Sequence, residues 1–425
     1  MCKLANLKMK YQEAKAFSIC RTCPDMSGFS NFQINIMHTS KRLEGIGEYY
    51  FSQKLREIDE LNKQGKNVIN LGIGSPDLPP HPDVIKTLQE ESAKPNVHGY
   101  QSYKGSPILR KAISDWYKTW YKVDLNADTE ILPLIGSKEG IMHICMTYLN
   151  EGDKALVPNP GYPTYRSAVK LAGGECVDYD LKEENNWEPD FDQLEKLVAG
   201  VKIMWINYPQ MPTGQLPTKA LFEKIVAFGK KHNILICHDN PYSFILNDNP
   251  LSLLHVPGAK DTAIELNSLS KSHNMAGWRV GALCGAKERI DEVLRFKSNM
   301  DSGMFLPMQL AAAKALQLPE SWYNEVNSVY KKRQQRAFEL LDLLECAYDK
   351  NQAGMFVWAK VPAGYKTGYE LSDEVLYNTA VFITPGGIFG NAGDGYIRVS
   401  LCSPEEKFAE SIKRIKSFLP ALKVK

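Results

Sequence analysis

The 425-residue chain carries 51 Lys and Arg against 49 Asp and Glu, a formal charge of +2. That balance, with no basic stripe interleaved with aromatics, argues against nucleic-acid binding. The longest apolar runs fall short of the ~20 residues that span a bilayer, so a soluble chain with a large core in two associated domains is expected.

Residues 1–36 lack sustained periodicity and a secretion-signal core. They are expected to be a disordered extension, or an upstream misreading of a start at Met37. Cys20 and Cys23 form a C-x-x-C there without a second pair at metal spacing, so no metal site is expected. From Tyr49 to Gly65, Phe51, Leu55, Ile58 and Leu61 recur at helical spacing and a glycine ends the run. Residues 67–73 then read as a strand. An apolar run at 131–135 breaks at Gly136 before a helical stretch from Ser137 to Leu149. Strand-like runs at 154–157, 201–207, 233–238 and 262–266 alternate with amphipathic stretches, which predicts an α/β fold with a largely parallel sheet. Beyond residue 311, helical stretches (311–316 and 322–344) and strands at 354–360 and 395–401 give α+β character. The expected division is an N-terminal segment, 37–75, packing with a small C-terminal domain, 311–425, and a large domain, 76–310. Cys145, Cys176, Cys237, Cys284, Cys346 and Cys402 lie singly in apolar surroundings, which suits reduced thiols and a cytoplasmic setting.

Several segments carry chemistry. Residues 268–281 read Ser-Leu-Ser-Lys-Ser-His-Asn-Met-Ala-Gly-Trp-Arg-Val-Gly. Ser268 and Ser270 precede Lys271, and Arg279 follows eight positions on. Hydroxyls and a guanidinium suit a phosphate dianion, which leaves the lysine amine to attack an aldehyde. Taken alone, the run also fits a solvated lysine in a serine-rich loop. Upstream, an apolar run ends in Cys237-His-Asp-Asn-Pro-Tyr. That places Asp239 at a strand end, where open α/β sheets bind ligands, with Tyr242 three residues on. Gly136 before Ser137 and Lys138 offers an anion the open N–H groups and positive dipole end of a helix start. Tyr162 stands in Pro158-Asn-Pro-Gly-Tyr-Pro-Thr-Tyr, which singly reads as a turn. Arg398 sits inside Gly395-Tyr-Ile-Arg-Val-Ser, an expensive place for a cation without a purpose.

In this order the segments resemble the class I and II pyridoxal-phosphate aminotransferases of fold type I, over roughly nine-tenths of the chain. The resemblance implies a large domain with a mostly parallel seven-stranded sheet and a smaller α+β domain. It implies that Lys271 joins pyridoxal 5′-phosphate covalently and, once displaced, moves the Cα proton of an amino-acid substrate. Asp239 would keep the ring nitrogen protonated, and Tyr242 would bond O3′. Ser137, Lys138, Ser268, Ser270 and Arg279 would hold the phosphate, and Tyr162 would lie on the ring. Arg398, with the backbone N–H of Gly74, would bind the substrate α-carboxylate. Tyr100 matches a tyrosine that a neighbouring subunit extends to the phosphate, which implies a homodimer.

Leu134-Ile-Gly-Ser-Lys-Glu-Gly, Cys237-His-Asp, Glu265-Leu-Asn-Ser-Leu-Ser-Lys, Gly277-Trp-Arg and Lys297-Ser-Asn-Met-Asp-Ser-Gly are most similar to LL-diaminopimelate aminotransferases. These pass an amino group between a diacid and 2-oxoglutarate. A broad aspartate, alanine or aromatic aminotransferase is the alternative; a C–S β-lyase or a non-catalytic binder is a reading of another class. One departure stands out: in Gln210-Met-Pro-Thr-Gly, Met211 occupies the place of an asparagine that bonds O3′. A lost hydrogen bond to a charged oxygen is worth about 1.5–3 kcal/mol. It would loosen the cofactor, with Asn207 or Asn240 as candidate substitutes and Pro212 as a candidate cis residue.

Overall fold

The computed structural model describes residues 38–422 apart from Tyr49. The expectations for residues 1–36, Met37, Cys20 and Cys23 lie outside the described residues. From Arg42 onward the chain forms one compact unit. Its strands are β1 (Ile69–Asn70), β2 (Ile131–Leu134), β3 (Lys154–Asn159), β4 (Glu175–Asp180), β5 (Val201–Ile206) and β6 (Leu235–Asp239). They continue as β7 (Ala263–Ser268), β8 (Gly281–Gly285), β9 (Phe356–Lys360), β10 (Val381–Phe382), β11 (Thr384–Pro385) and β12 (Tyr396–Ser400).

Seven strands form one sheet in the order β2-β8-β7-β6-β5-β3-β4. From β4 to β7 all neighbours are parallel, and β8 lies antiparallel between β7 and β2. The apolar runs are continuous because the sheet is covered on both faces. Leu156, Met204, Ile206 and Ile236 enter one core, while Ala155, Val157, Ile203, Trp205 and Cys237 enter the other. Two strands of this sheet were not expected from the sequence. β4 is a half-exposed edge strand reading Glu-Cys-Val-Asp-Tyr-Asp, and β8 is a five-residue Gly-Ala-Leu-Cys-Gly run without β-branched residues.

A second sheet, β11-β12-β9, is antiparallel, and β1 pairs in parallel with β10, Ile69 against Val381. This pairing ties the segment around residue 70 to the C-terminal part of the chain. The helix Tyr50–Lys63 precedes it, and the long helix Glu320–Leu343 begins two residues before the expected stretch. Met211–Pro212 is cis, as are Asn159–Pro160 and Tyr208–Pro209. Cys145, Cys237, Cys284, Cys346 and Cys402 are buried free thiols, and Cys176 is half-buried. Among the described residues, no helix is long and apolar enough to cross a membrane.

Candidate active site

The C-terminal ends of the parallel strands open into a cavity of about 590 Å³. Strand β6 delivers Asp239 to it, and β7 delivers Ser268, whose hydroxyl caps the one-turn helix Leu269–Ser272 and so fixes Ser270 and Lys271. Strand β2 ends at Leu134, and two residues on Gly136 caps the helix Ser137–Tyr148, whose N-terminus lies toward the same space. Gly136 has φ 83°, and a Cβ on it would overlap the Arg279 guanidinium. Glycine therefore lets this arginine lie across the helix start. Arg279, itself left-handed at φ 57°, donates to the Ala276 carbonyl at 3.0 Å. Ser268 and Ser270 share a hydroxyl contact of 2.9 Å. The result is an anion cradle of two hydroxyls, a guanidinium and a helix N-terminus.

Lys271 Nζ donates to the Gly74 carbonyl at 2.7 Å. Burial, then the Arg398 and Arg279 charges, push its ammonium below the ordinary lysine range, against an opposing pull from Cys402. Asp239 is 4% exposed, and burial raises its carboxyl from 3.8 to about 6, opposed by the Tyr165 hydrogen bond and the His238 charge. Tyr165 donates to its Oδ2 at 2.9 Å, whereas Oδ1 is buried and has no hydrogen-bond partner. Tyr242 packs edge-on to Phe356, and burial raises its phenol well above the ordinary range. Tyr162 stands edge-on to Tyr165 at 5.6 Å.

Arg398 is 3% exposed on β12 and is clamped from several sides. Its guanidinium lies 3.8 Å from the centroid of Phe356 and 4.6 Å from that of Phe389. It donates to the Gly72 carbonyl at 2.9 Å and to Met211 Sδ at 3.3 Å. Met211 thus serves as a soft acceptor for this arginine. Asn207 lines the cavity with its carboxamide engaged at both ends, Nδ2 on the Asp239 carbonyl (2.6 Å) and Oδ1 on the Met211 N–H (2.8 Å). Asn240 instead donates to the Leu251 carbonyl, away from the cavity.

Of the residues singled out in the sequence, Gly74, Ser137, Lys138, Tyr162, Asp239, Tyr242, Ser268, Ser270, Lys271, Arg279 and Arg398 all line this one cavity. Tyr100 does not; it is 93% exposed. Sequence reasoning passed over Tyr165, Phe356, Phe389 and the cavity role of Phe51. Tyr165 had a readable signal, one helical turn after Tyr162, while the phenylalanines read as ordinary core. One group is spaced as metal ligands among the described residues, Glu139, His143 and Asp301, and none of the three lines the cavity. The buried Lys297 ammonium, 2.5 Å from Asp301 Oδ1, supplies a cation there already.

Comparison with known proteins gives a consistent result. Residues 66–415 match the family Aminotransferase class I and II. The LL-diaminopimelate aminotransferase of Dehalococcoides mccartyi strain BAV1 is 41% identical over 385 residues, covering 90% of this chain and 99% of its own. That of Aquifex aeolicus is 41% identical over 381 residues, covering 89% and 98%. Substrate-bound BacF of Bacillus subtilis superposes with a TM-score of 0.86 at 35% identity, covering 90% of this chain and 98% of its own. An aromatic aminotransferase of Pyrococcus horikoshii gives 0.80 at 28%, covering 87% and 100%. With this fold and these relatives, the chain belongs to the class I and II aminotransferases, a pyridoxal-phosphate-dependent family of fold type I, and is a transaminase.

Proposed function

We propose that the cavity holds pyridoxal 5′-phosphate on Lys271 and transfers the amino group of an amino acid to a 2-oxo acid. The observation that carries this reading is Asp239 Oδ1, a buried acceptor without a partner in the same cavity as the lysine. A protonated ring nitrogen is the donor such an oxygen fits, and the cradle of Ser137, Lys138, Ser268, Ser270 and Arg279 fits the phosphate. Tyr162 would cover the ring and Tyr242 would reach its phenolic oxygen. When bound, the cofactor supplies an electron sink that acidifies the substrate's Cα–H.

The chain's own residues do the rest. Burial beside two guanidinium groups favours the neutral amine of Lys271, so Nζ can take the Cα proton. Arg398 pairs the substrate α-carboxylate two-pronged, with the Gly74 N–H beside it, and thereby orients the Cα–H bond. Stacking on Phe356 and Phe389 holds the guanidinium plane in register for that pairing. The apolar wall of Phe51, Leu55, Ile73, Phe356 and Phe389 limits water near the reacting atoms.

The named relatives support LL-diaminopimelate as amino donor, and 2-oxoglutarate is the acceptor that the sequence resemblance implies. The same apolar wall supports a second reading, an aromatic or aliphatic donor. Exposed Tyr100 fits a homodimer in which each subunit lends this phenol to the other's phosphate, and the free buried thiols fit the cytoplasm. The strand content supports a large domain over 76–310 and a small one over 311–425 with the segment 37–75 packed on it.

The test is a half-reaction screen. Single amino acids are added to the cofactor-loaded enzyme and its visible absorbance is followed. Bleaching by LL-diaminopimelate and glutamate, without bleaching by aromatics, supports the first reading; the reverse supports the second. Borohydride reduction should fix the cofactor on the peptide holding Lys271, and Lys271→Ala should abolish turnover. A label on any other peptide refutes the site.

A further inference from the structure

Beneath Asp239, on the other face of the sheet, lies a pair that the proposed mechanism does not use. His238 and Glu265 are cross-strand partners on β6 and β7, and both are 0% exposed. His238 Nδ1 is 2.8 Å from Glu265 Oε2, and Nε2 is 3.0 Å from the Tyr208 carbonyl oxygen. A carbonyl oxygen only accepts, so Nε2 carries a hydrogen. Glu265 already accepts from the Tyr117 hydroxyl (2.9 Å), the Ser252 hydroxyl (2.9 and 3.0 Å) and the Leu253 N–H (2.9 Å). Three donors already converge on this carboxyl group, and His238 Nδ1 is the fourth group on it.

Asp239 follows His238 directly in β6 and points to the opposite face, toward Tyr165 and the cavity. Its hydrogen-bonding support is thin: one neutral hydroxyl on Oδ2 and none on Oδ1. The groups facing Asp239 are Tyr162, Tyr165, Tyr242 and Asn207, with Lys271, Arg279, Arg398 and Lys138 elsewhere around the cavity. Those facing His238 are Glu265, the Tyr208 carbonyl and the Phe222 ring at 5.1 Å. His238 is therefore the ionisable group nearest Asp239 along the chain, and the sheet holds it there. It also fixes the Tyr208 backbone, next to Asn207, whose amide holds the Asp239 carbonyl.

We propose that His238, kept charged by Glu265, is a positioning residue that holds Asp239 as a carboxylate from the far side of the sheet. A carboxylate is the form that can accept from a protonated ring nitrogen. An opposite charge one residue away favours the ionised form, and Glu265 protects that charge from being lost to burial.

The experiment reads the pH at which Asp239 takes up its proton. In the cofactor-free protein, the stability difference between wild type and Asp239→Asn is measured against pH, and its midpoint reports that carboxyl. The same comparison is made in a His238→Asn background and in a Glu265→Gln background. In both backgrounds the folded carboxyl should rise by about one pH unit, which moves the midpoint upward by about half a unit because the unfolded end of the ramp is fixed. Where His238→Asn fails to fold, Glu265→Gln decides. A midpoint unmoved in the backgrounds that fold overturns the proposal.

A second arm rests on the cofactor reading: the affinity of the His238→Asn apoenzyme for pyridoxal 5′-phosphate. Near pH 6.5 it should weaken about threefold, with little change at pH 9. An equal loss at every pH means His238 is only structural and overturns the proposal. Because the first arm contains no cofactor, failure of the cofactor assignment leaves it decisive.

Discussion

Replacing Asp239 by Asn should make the cofactor-free protein more stable while disabling the enzyme. The Asp239 carboxyl is raised from 3.8 to about 6, chiefly by burial. A carboxyl raised in the folded state binds more protons there than when unfolded, so stability falls as pH rises through that interval. The deficit is absent below pH 4 and complete above pH 6 or 7. At 1.36 kcal/mol per pH unit it amounts to about 3 kcal/mol. Asn mimics the protonated acid in shape and charge and keeps an oxygen for the Tyr165 hydroxyl. Asp239→Asn should therefore recover about 3 kcal/mol at pH 8 and close to nothing at pH 4. For a chain of this length that is a rise in Tm of about 3 °C. Calorimetry of both apoenzymes across pH 4–8 is the assay. With pyridoxal 5′-phosphate present the order should invert, because only the carboxylate accepts from a protonated ring nitrogen. A gain independent of pH, or none at pH 8, would refute the buried-charge account.

Three further outcomes are expected. Arg398→Ala should raise KM for the amino acid by about 100-fold while leaving equilibrium cofactor binding intact, since a lost two-pronged charged contact is worth about 3 kcal/mol. Fluorescence titration with the cofactor and steady-state kinetics separate the two effects. Met211→Asn should tighten cofactor binding about tenfold or more by supplying a donor worth about 1.5–3 kcal/mol. It also removes the Sδ acceptor of Arg398, so KM should rise in the same variant. Gly136→Ala should weaken cofactor and inorganic phosphate binding together, because the added methyl overlaps the Arg279 guanidinium at a backbone position with φ 83°. Unchanged phosphate affinity in competition assays would show that Arg279 does not serve the cradle.

Much of the architecture was readable in one dimension because parallel strands buried on both faces must be continuously apolar. β3, β5, β6 and β7 were all found that way. β4 escaped because an edge strand needs little apolar surface, and β8 because small residues packed against neighbours carry no β signature. The site residues were readable where chemistry demands an uncommon residue in an uncommon place, as with Lys271 among serines or Arg398 in a strand. Phe356 and Phe389 were not, since nothing in a phenylalanine's neighbours tells core from a platform under a guanidinium.

The sequence by itself therefore determined the order of the chemical groups, the α/β alternation and the family. Only the tertiary structure decided that Met211 meets Arg398, that the Tyr165 hydroxyl donates to Asp239, and that His238 faces Glu265 across adjacent strands. The physical reason is register. Side-chain alternation along a strand is written locally, but which residue stands opposite depends on how strands distant in sequence align in the sheet.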